Sequence, residues 1–181
     1  MHEPHAGAGV TVRLRPAILE DAPALAGLAA DAFVAAFGHL YRPEDLAAFL
    51  GEHKTPAAFA RALADPDKPT QLAEADGTLA GYCQLGMPSA FASKSEAIRP
   101  VEIKQLYCDP ALTGRGVGAM LMNWALGRAH DLGCDAVQLS VYSENYGAQR
   151  FYARYGFAKI ADIEFWVGNQ RDAEFLLELR L

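Results

Sequence analysis

Between residues 109 and 118 the chain reads Asp-Pro-Ala-Leu-Thr-Gly-Arg-Gly-Val-Gly, and these glycines constrain the fold more than any other stretch. The segment follows an alternating run, Val101–Cys108, and leads into Gly116–Leu132, where Val117, Met120, Leu121, Trp124 and Leu126 are available for burial on a helix. Strand, glycine loop and helix in that order bring a helix N-terminus next to a backbone bare of side chains. Unpaired N–H groups and the positive dipole end favour an anion there, and glycine lets a ligand approach closely. Arg115 can add a charge-assisted contact to phosphate. The same glycines would also serve a tight start of the helix with no ligand.

Two other phosphate motifs compete for the segment. A P-loop needs Lys and Ser/Thr after its last glycine, and here Ala119 and Met120 follow Gly118, so that reading fails. Gly114-x-Gly116-x-x-Ala119 does fit a dinucleotide fingerprint, with Glu144 in the acidic role. Residues Asp109 to Thr113 separate its turn from the strand, however. The chain from Glu144 to Leu181 is also too short for the rest of a doubly wound sheet, and it reads antiparallel.

The flanking sequence supplies the other elements. Thr11–Arg15 alternates as a strand, Ala22–Phe37 reads as a helix with Pro23 in its first turn, and a second helix follows Pro43. A third covers about Pro56–Ala64. Asp65–Pro69 breaks the chain, and Gln71–Ala75 and Thr78–Leu85 form a hairpin around Asp76-Gly77. Met87–Arg99 reads as a long loop. Beyond the glycine segment come a strand at Ala136–Val141, a helix at Asn145–Tyr155, and strands Phe157–Val167 and Ala173–Leu181 around Gly168-Asn169. The class is α+β, a mostly antiparallel sheet with one β-α-β crossover between Val101 and Val141. Residues 1–9 read as a frayed tail and 10–181 as one domain.

Composition excludes more than it assigns. A chain of 181 residues, 51% hydrophobic and with net charge −6, can bury one core and carries no basic footprint for nucleic acid. Cys83, Cys108 and Cys134 are odd in number and widely spaced, which favours a reducing compartment, and the expectation is a cytoplasmic protein. No apolar run looks long enough to cross a bilayer, so no membrane role is expected. The five histidines show no ligand spacing, so no metal is expected.

Asn145, Ala148, Phe151-Tyr152 and Tyr155-Gly156-Phe157 recur at helical spacings. Together with the loop, this pattern resembles the GCN5-related N-acetyltransferase (GNAT) superfamily. In that family an Arg/Gln-x-x-Gly-x-Gly/Ala loop binds the pyrophosphate of acyl-CoA, and a helix ending in an FYxxxGF-like stretch flanks the thioester. Here the loop falls on Thr113, Gly114, Arg115, Gly116, Val117 and Gly118, departing from the pattern at Thr113. The specific motifs cover Glu102 to Phe157. Residues Ile103–Pro110 and the strand near Phe165 are similar to polyamine acetyltransferases of the PaiA kind.

The resemblance implies acetyl-CoA as acyl donor and a primary amine as acceptor, with no covalent enzyme intermediate. Such a transfer needs amine deprotonation, donors for the oxyanion and a proton for the departing thiolate. Tyr152 is then the candidate acid, and Asn145 would touch the CoA arm or cap its helix. Backbone N–H groups around Leu106, Tyr107 and Cys108 would hold the oxyanion, with Cys108 otherwise a small apolar residue. Glu102 is the candidate base, with an ordered water as the alternative. Alternation puts Glu102, Lys104, Leu106 and Cys108 on one face, and pairing with Lys104 would spoil a base. Phe33, Phe37 and Tyr41 could hold the aliphatic part of the amine, and Glu44, Asp45 and Glu52 could attract its charge. Sheet edges at the C-terminal strands leave room for a homodimer. An acyl-CoA-binding module without transfer activity is the alternative function.

Overall fold

The structure, a computed structural model, describes residues 11–112 and 114–181, so Thr113 and the expected tail lie outside the described residues. Its seven strands are β1 Val12–Pro16, β2 Thr70–Ala75, β3 Thr78–Gly86, β4 Pro100–Cys108, β5 Ala136–Tyr142, β6 Ala158–Val167 and β7 Gln170–Arg180. They form one sheet in the order β1-β2-β3-β4-β5-β7-β6. Only β4 and β5 run parallel, joined through the glycine loop and a helix, as the crossover reading expects. The Asp76-Gly77 turn of the β2–β3 hairpin has positive φ at both residues, the backbone that a two-residue hairpin demands.

Among the described residues the α-helices are α1 Ala22–Phe37, α2 Pro43–His53, α3 Pro56–Leu63, α4 Val117–Asp131 and α5 Tyr146–Ala153. Side chains start two of them. Thr55 Oγ1 accepts from the Ala58 N–H at 3.2 Å below α3, and Asn145 Oδ1 accepts from the Ala148 N–H at 3.1 Å below α5. The expected loop at 87–99 carries one 3₁₀ turn, Ala92–Lys94. The last strand begins at Gln170 rather than Ala173, because Gly168 and Asn169 alone make the turn.

Each face of the sheet carries its own apolar layer. On one, Leu121, Met122, Ala125 and Ala129 of α4 pack with Leu85, Val101, Ile103, Val137 and Leu139, and Phe151 and Tyr152 of α5 border that cluster. On the other, Leu25, Ala26 and Ala29 of α1 and Phe59 of α3 meet Leu72 and Tyr82. Phe33 and Phe49 join Val167 to bring α1 and α2 onto the β6 side. Leu19–Leu40 does have the length and apolar composition of a membrane span, contrary to the reading of the sequence by uninterrupted runs. About a third of it is buried in the fold, with Leu25 and Ala29 fully buried and Phe33 nearly so.

Strict alternation fails in the strand that matters most. Gln105 pairs with Gln84 and Ile103 with Leu85, so Lys104 is an extra residue, a β-bulge. The expected common face for Glu102, Lys104, Leu106 and Cys108 is therefore corrected. Val101 and Ile103 before the bulge share the α4 side with Leu106 and Cys108 after it, while Tyr107 packs toward α1 and α2.

Asp45 also departs from expectation. It is buried, takes the Asn169 N–H at 3.0 Å and pairs with Arg42 at 2.8 Å, so it latches the β6–β7 turn to α2 and is not free to attract a cation. The Asn169 amide, then Arg42, holds its carboxyl below the usual range.

Gly81 on β3 sits where strand and helix come closest. A Cβ there would lie 2.8 Å from the Tyr107 carbonyl oxygen and 3.0 Å from Val117 Cγ1. Gly81→Ala should therefore cost about 1–3 kcal/mol, the usual range for overpacking. It should lower the urea midpoint without changing the denaturant slope; an unchanged midpoint would show that α4 can shift freely.

Candidate active site

The β4–β5 pairing covers only Pro100–Glu102 against Ala136–Gln138. Beyond that point β4 continues beside β3 to Cys108 and β5 continues beside β7 to Tyr142, with no pairing between the two strands. A wedge-shaped gap opens in the middle of the sheet. The Asp109 N–H bonds Ala80 O on β3 at 2.8 Å, and alternation along the strand then turns the Leu106 and Cys108 N–H groups toward the gap and that of Tyr107 toward β3. Of the three expected amide donors, two face the gap.

The glycine loop stands at the mouth of this gap on the α4 side. Gly116 is the N-cap of α4 with φ +82°, a left-handed backbone that a side chain would strain, and no side chain caps the helix there. Gly114 shares the left-handed conformation, and a Cβ on either glycine would meet nothing within 4 Å. Bare backbone and uncapped N–H groups of a 15-residue helix thus face open space, with Arg115 exposed between the two glycines. Gly118 lies deeper, its Cβ position 3.7 Å from both Cys108 Sγ and Phe151 Cζ.

Tyr152 lies at the inner end on the same side, its ring 5.4 Å from that of Phe151 and 5.9 Å from that of Phe157. Burial, reinforced by Cys83, Tyr107 and Cys108, pushes its phenol above the ordinary tyrosine value, so it remains a proton donor at neutral pH. Burial likewise raises the Cys108 thiol to about 11, which fits a packed apolar residue and not a nucleophile. Asn145 Oδ1 is occupied in capping α5.

The opposite side of the sheet carries a polar group of residues under an aromatic cover. Glu102 Oε2 accepts from the Ala90 N–H at 3.1 Å and from Lys104 Nζ at 3.4 Å, tying β4 to the 87–99 loop. That loop is fixed to β5 as well: Ser89 Oγ donates to Gln138 Oε1 at 2.6 Å, and Gln138 Nε2 donates to Glu178 at 2.8 Å. Phe33 is largely core, stacked between Tyr41 and Phe49. Phe37 meets Tyr142 edge-on, with ring centres 6.1 Å apart, and the Tyr41 hydroxyl donates to Asp172. Phe37 and Tyr41 thus reach the β5–β7 wall, while Phe33 supports them from behind. Glu44 and Glu52 are exposed on α2.

Sequence reasoning passed over Lys54, Gln105, Ser140, Asp172 and Glu174. Lys54 Nζ donates to Gln105 Oε1 at 3.0 Å, lies 5.1 Å from the centre of the Tyr107 ring, and is lowered by burial to about 8. Gln105 also takes the Tyr82 hydroxyl at 2.5 Å. Asp172 and Glu174 alternate with apolar residues along β7, which in sequence reads as a solvated face. Helices some 130 residues earlier cover that face, as the contact between Tyr41 and Asp172, 131 positions apart, shows. No cluster of three or more His, Cys, Asp or Glu side chains with metal-binding geometry occurs among the described residues.

Known proteins share this architecture. A family model described as the acetyltransferase (GNAT) family matches residues 30–157. An uncharacterized N-acetyltransferase of Mycobacterium tuberculosis is 33% identical over 159 residues, covering 88% of this chain and 97% of the relative. An uncharacterized N-acetyltransferase of Lactobacillus delbrueckii subsp. lactis is 27% identical over 164 residues, 90% of this chain and 93% of its own. The fold is that of the PaiA N-acetyltransferase from Thermoplasma acidophilum, solved in complex with coenzyme A, with a TM-score of 0.76 at 19% identity, covering 94% of this chain and 99% of that one.

Burial of Lys54 makes stability depend on pH. In the folded protein its amine gives up a proton near pH 8, whereas in the unfolded chain it does so near 10.5. Below about 8 the cost of burying the charge is present in full, and it is relieved as pH rises toward 10.5. Lys54→Met, which leaves the bond between Gln105 and Tyr82 in place, should raise Tm at pH 7 by an amount that shrinks between pH 8 and 10. Thermal melts across that range test this; a difference that does not vary with pH would mean that Lys54 carries no buried charge.

Proposed function

The chain belongs to the acetyltransferase (GNAT) family and is an N-acetyltransferase, and we propose that it moves an acetyl group from acetyl-CoA directly onto a primary amine, with Tyr152 as general acid. The observation that carries this is the gap between β4 and β5, with a bare-backbone anion cradle at its mouth and a protonated phenol inside. Pyrophosphate of the donor takes the N–H groups of Gly114 to Gly118 and the start of α4, helped by Arg115. The pantetheine arm, which carries amide groups of its own, lies along the unpaired strand edges. Coenzyme A in the PaiA structure supports this choice of donor.

The acetyl carbonyl then meets the Leu106 and Cys108 N–H groups, which stabilise the oxyanion as the amine attacks. Collapse of the tetrahedral intermediate breaks the C–S bond, and Tyr152 gives its proton to the departing thiolate. The acceptor enters from the side of α1 and α2. Phe37, Tyr41 and Tyr142 contact its aliphatic part, and carboxylates of β4 and β7 favour a cationic amine over a neutral one. Glu102 contributes to that charge from β4 and fixes the acceptor loop through Ala90. Polyamines suit this description, as do small amines and peptide amines.

Free thiol release from acetyl-CoA in the presence of amines measures the reaction. A protein that binds acetyl-CoA yet releases no thiol with any amine would be a binding module and not an enzyme. Tyr152→Phe keeps the ring and its packing and removes the acid. Turnover should fall on the order of 100-fold, the lower end of general-acid effects because CoA thiolate is a fair leaving group, with acetyl-CoA affinity almost unchanged. Calorimetry and steady-state rates on one preparation separate the two quantities; full turnover in Tyr152→Phe would assign the proton to another donor.

A further inference from the structure

Of the carboxylates on the acceptor side, most are already committed. Glu102 is held by the Ala90 amide and Lys104. Asp172 accepts from the Tyr41 hydroxyl and, at 2.9 Å, from Gln170 Nε2. Glu178 is engaged by Gln138 and Arg180. Glu174 on β7 is different: its Oε2 is buried and accepts no hydrogen bond among the described residues. Glu174 stands opposite Tyr142 in the β5–β7 register, which makes Ser140, opposite Leu176, its diagonal neighbour on the same face of the sheet. Ser140 lies two residues beyond the last β4–β5 pair and is exposed, although it belongs to a central strand. The gap therefore reaches Ser140, and Glu174 lies directly behind it.

We infer that Glu174, acting through the hydroxyl of Ser140, takes the proton of the acceptor ammonium, and that Glu102 serves to hold the acceptor loop. The assignment rests on the acyl-transfer reading above. In the step, the Ser140 oxygen accepts a proton from the ammonium as its own hydroxyl proton passes to Glu174. The carboxylate becomes a carboxylic acid, and the amine gains the lone pair with which it attacks the thioester.

The surroundings suit a base. Tyr107 from β4, Tyr142 from β5, Asp172 from β7 and, beyond Asp172, Tyr41 from the α1–α2 link are the titratable groups about Glu174, and Lys54 from the end of α2 is engaged with Gln105. No Lys, Arg or His forms an ion pair with Glu174 among the described residues. Burial raises its carboxyl above the ordinary range; the neighbouring Ser140 hydroxyl lowers it in part, and the charge of Asp172 raises it further. A carboxyl lifted toward neutrality is better matched to accept a proton from an amine than an ordinary surface glutamate.

The test is kcat/KM from thiol release between pH 5.5 and 10, with acetyl-CoA and spermidine, benzylamine or a glycyl peptide, whichever the parent turns over. The parent should lose rate as pH falls through the range where Glu174 protonates. Glu174→Gln should drop about 100-fold at pH 7, lose that acidic limb and recover as free amine accumulates at alkaline pH. Ser140→Ala, an exposed position that tolerates the change, should behave likewise, and Glu102→Gln should keep the limb. Calorimetry should give both β5 and β7 variants the parent's affinity for acetyl-CoA, because they lie on the face away from the cradle. Parent-like profiles in Glu174→Gln or in Ser140→Ala, or a limb lost only in Glu102→Gln, would overturn the assignment and leave acyl transfer standing. A parent inactive with all three amines would bring down both.

Discussion

Three residue pairs join β4 to β5, and the rest of the structure turns on how soon that pairing stops. Backbone amides and carbonyls inside a sheet are normally matched strand to strand, because an unmatched buried polar group is costly. Here β3 and β7 hold the outer edges of the two strands while their inner edges diverge, so the centre of the sheet presents unmatched groups to whatever enters. An extended ligand with amides of its own can satisfy them in the manner of an added strand. The bulge at Lys104 belongs to the same arrangement. It leaves Leu106 and Cys108 with the α4 layer and Tyr107 with the opposite layer, so the strand that lines the gap is seated on both sides at once.

The gap also divides labour between the two faces. The residues proposed for phosphate recognition, oxyanion binding and acid catalysis lie with α4 and α5, and the aromatic cover, Lys54 and the buried carboxylates lie with α1 and α2. One sheet separates the two faces. Substitutions in the aromatic cover should therefore combine additively with substitutions in the glycine loop, since no side chain is shared between them. A fold built this way can change its acceptor and keep its donor.

Local chemistry made the donor side legible in the sequence. The glycines at 114, 116 and 118, the helical spacing from Asn145 to Phe157 and the hairpin at Asp76-Gly77 each act within a few residues, and each element stands where its pattern put it. The acceptor side was read poorly because its features are made by distant contacts. Lys104 alternates like its neighbours in sequence, and only the register against β3 reveals it as an extra residue. Asp45 looks like one more acidic residue in the first turn of a helix, until the Asn169 amide, 124 positions away, is found on it. Glu174 sits in a polar-apolar alternation that ordinarily means one wet face, and that face is covered here.

Glu174 is also the last of these groups to be synthesised. Strand β7 follows β6 in the chain yet inserts between β6 and β5, so the far wall of the gap has no partner until β7 is made. Without β7, β5 would keep an open edge on the side away from β4. On the reading proposed above, a chain lacking that strand would have a place for the thioester but lack its base. The strand that completes the sheet is thus also the one that carries Glu174 to the edge of the gap.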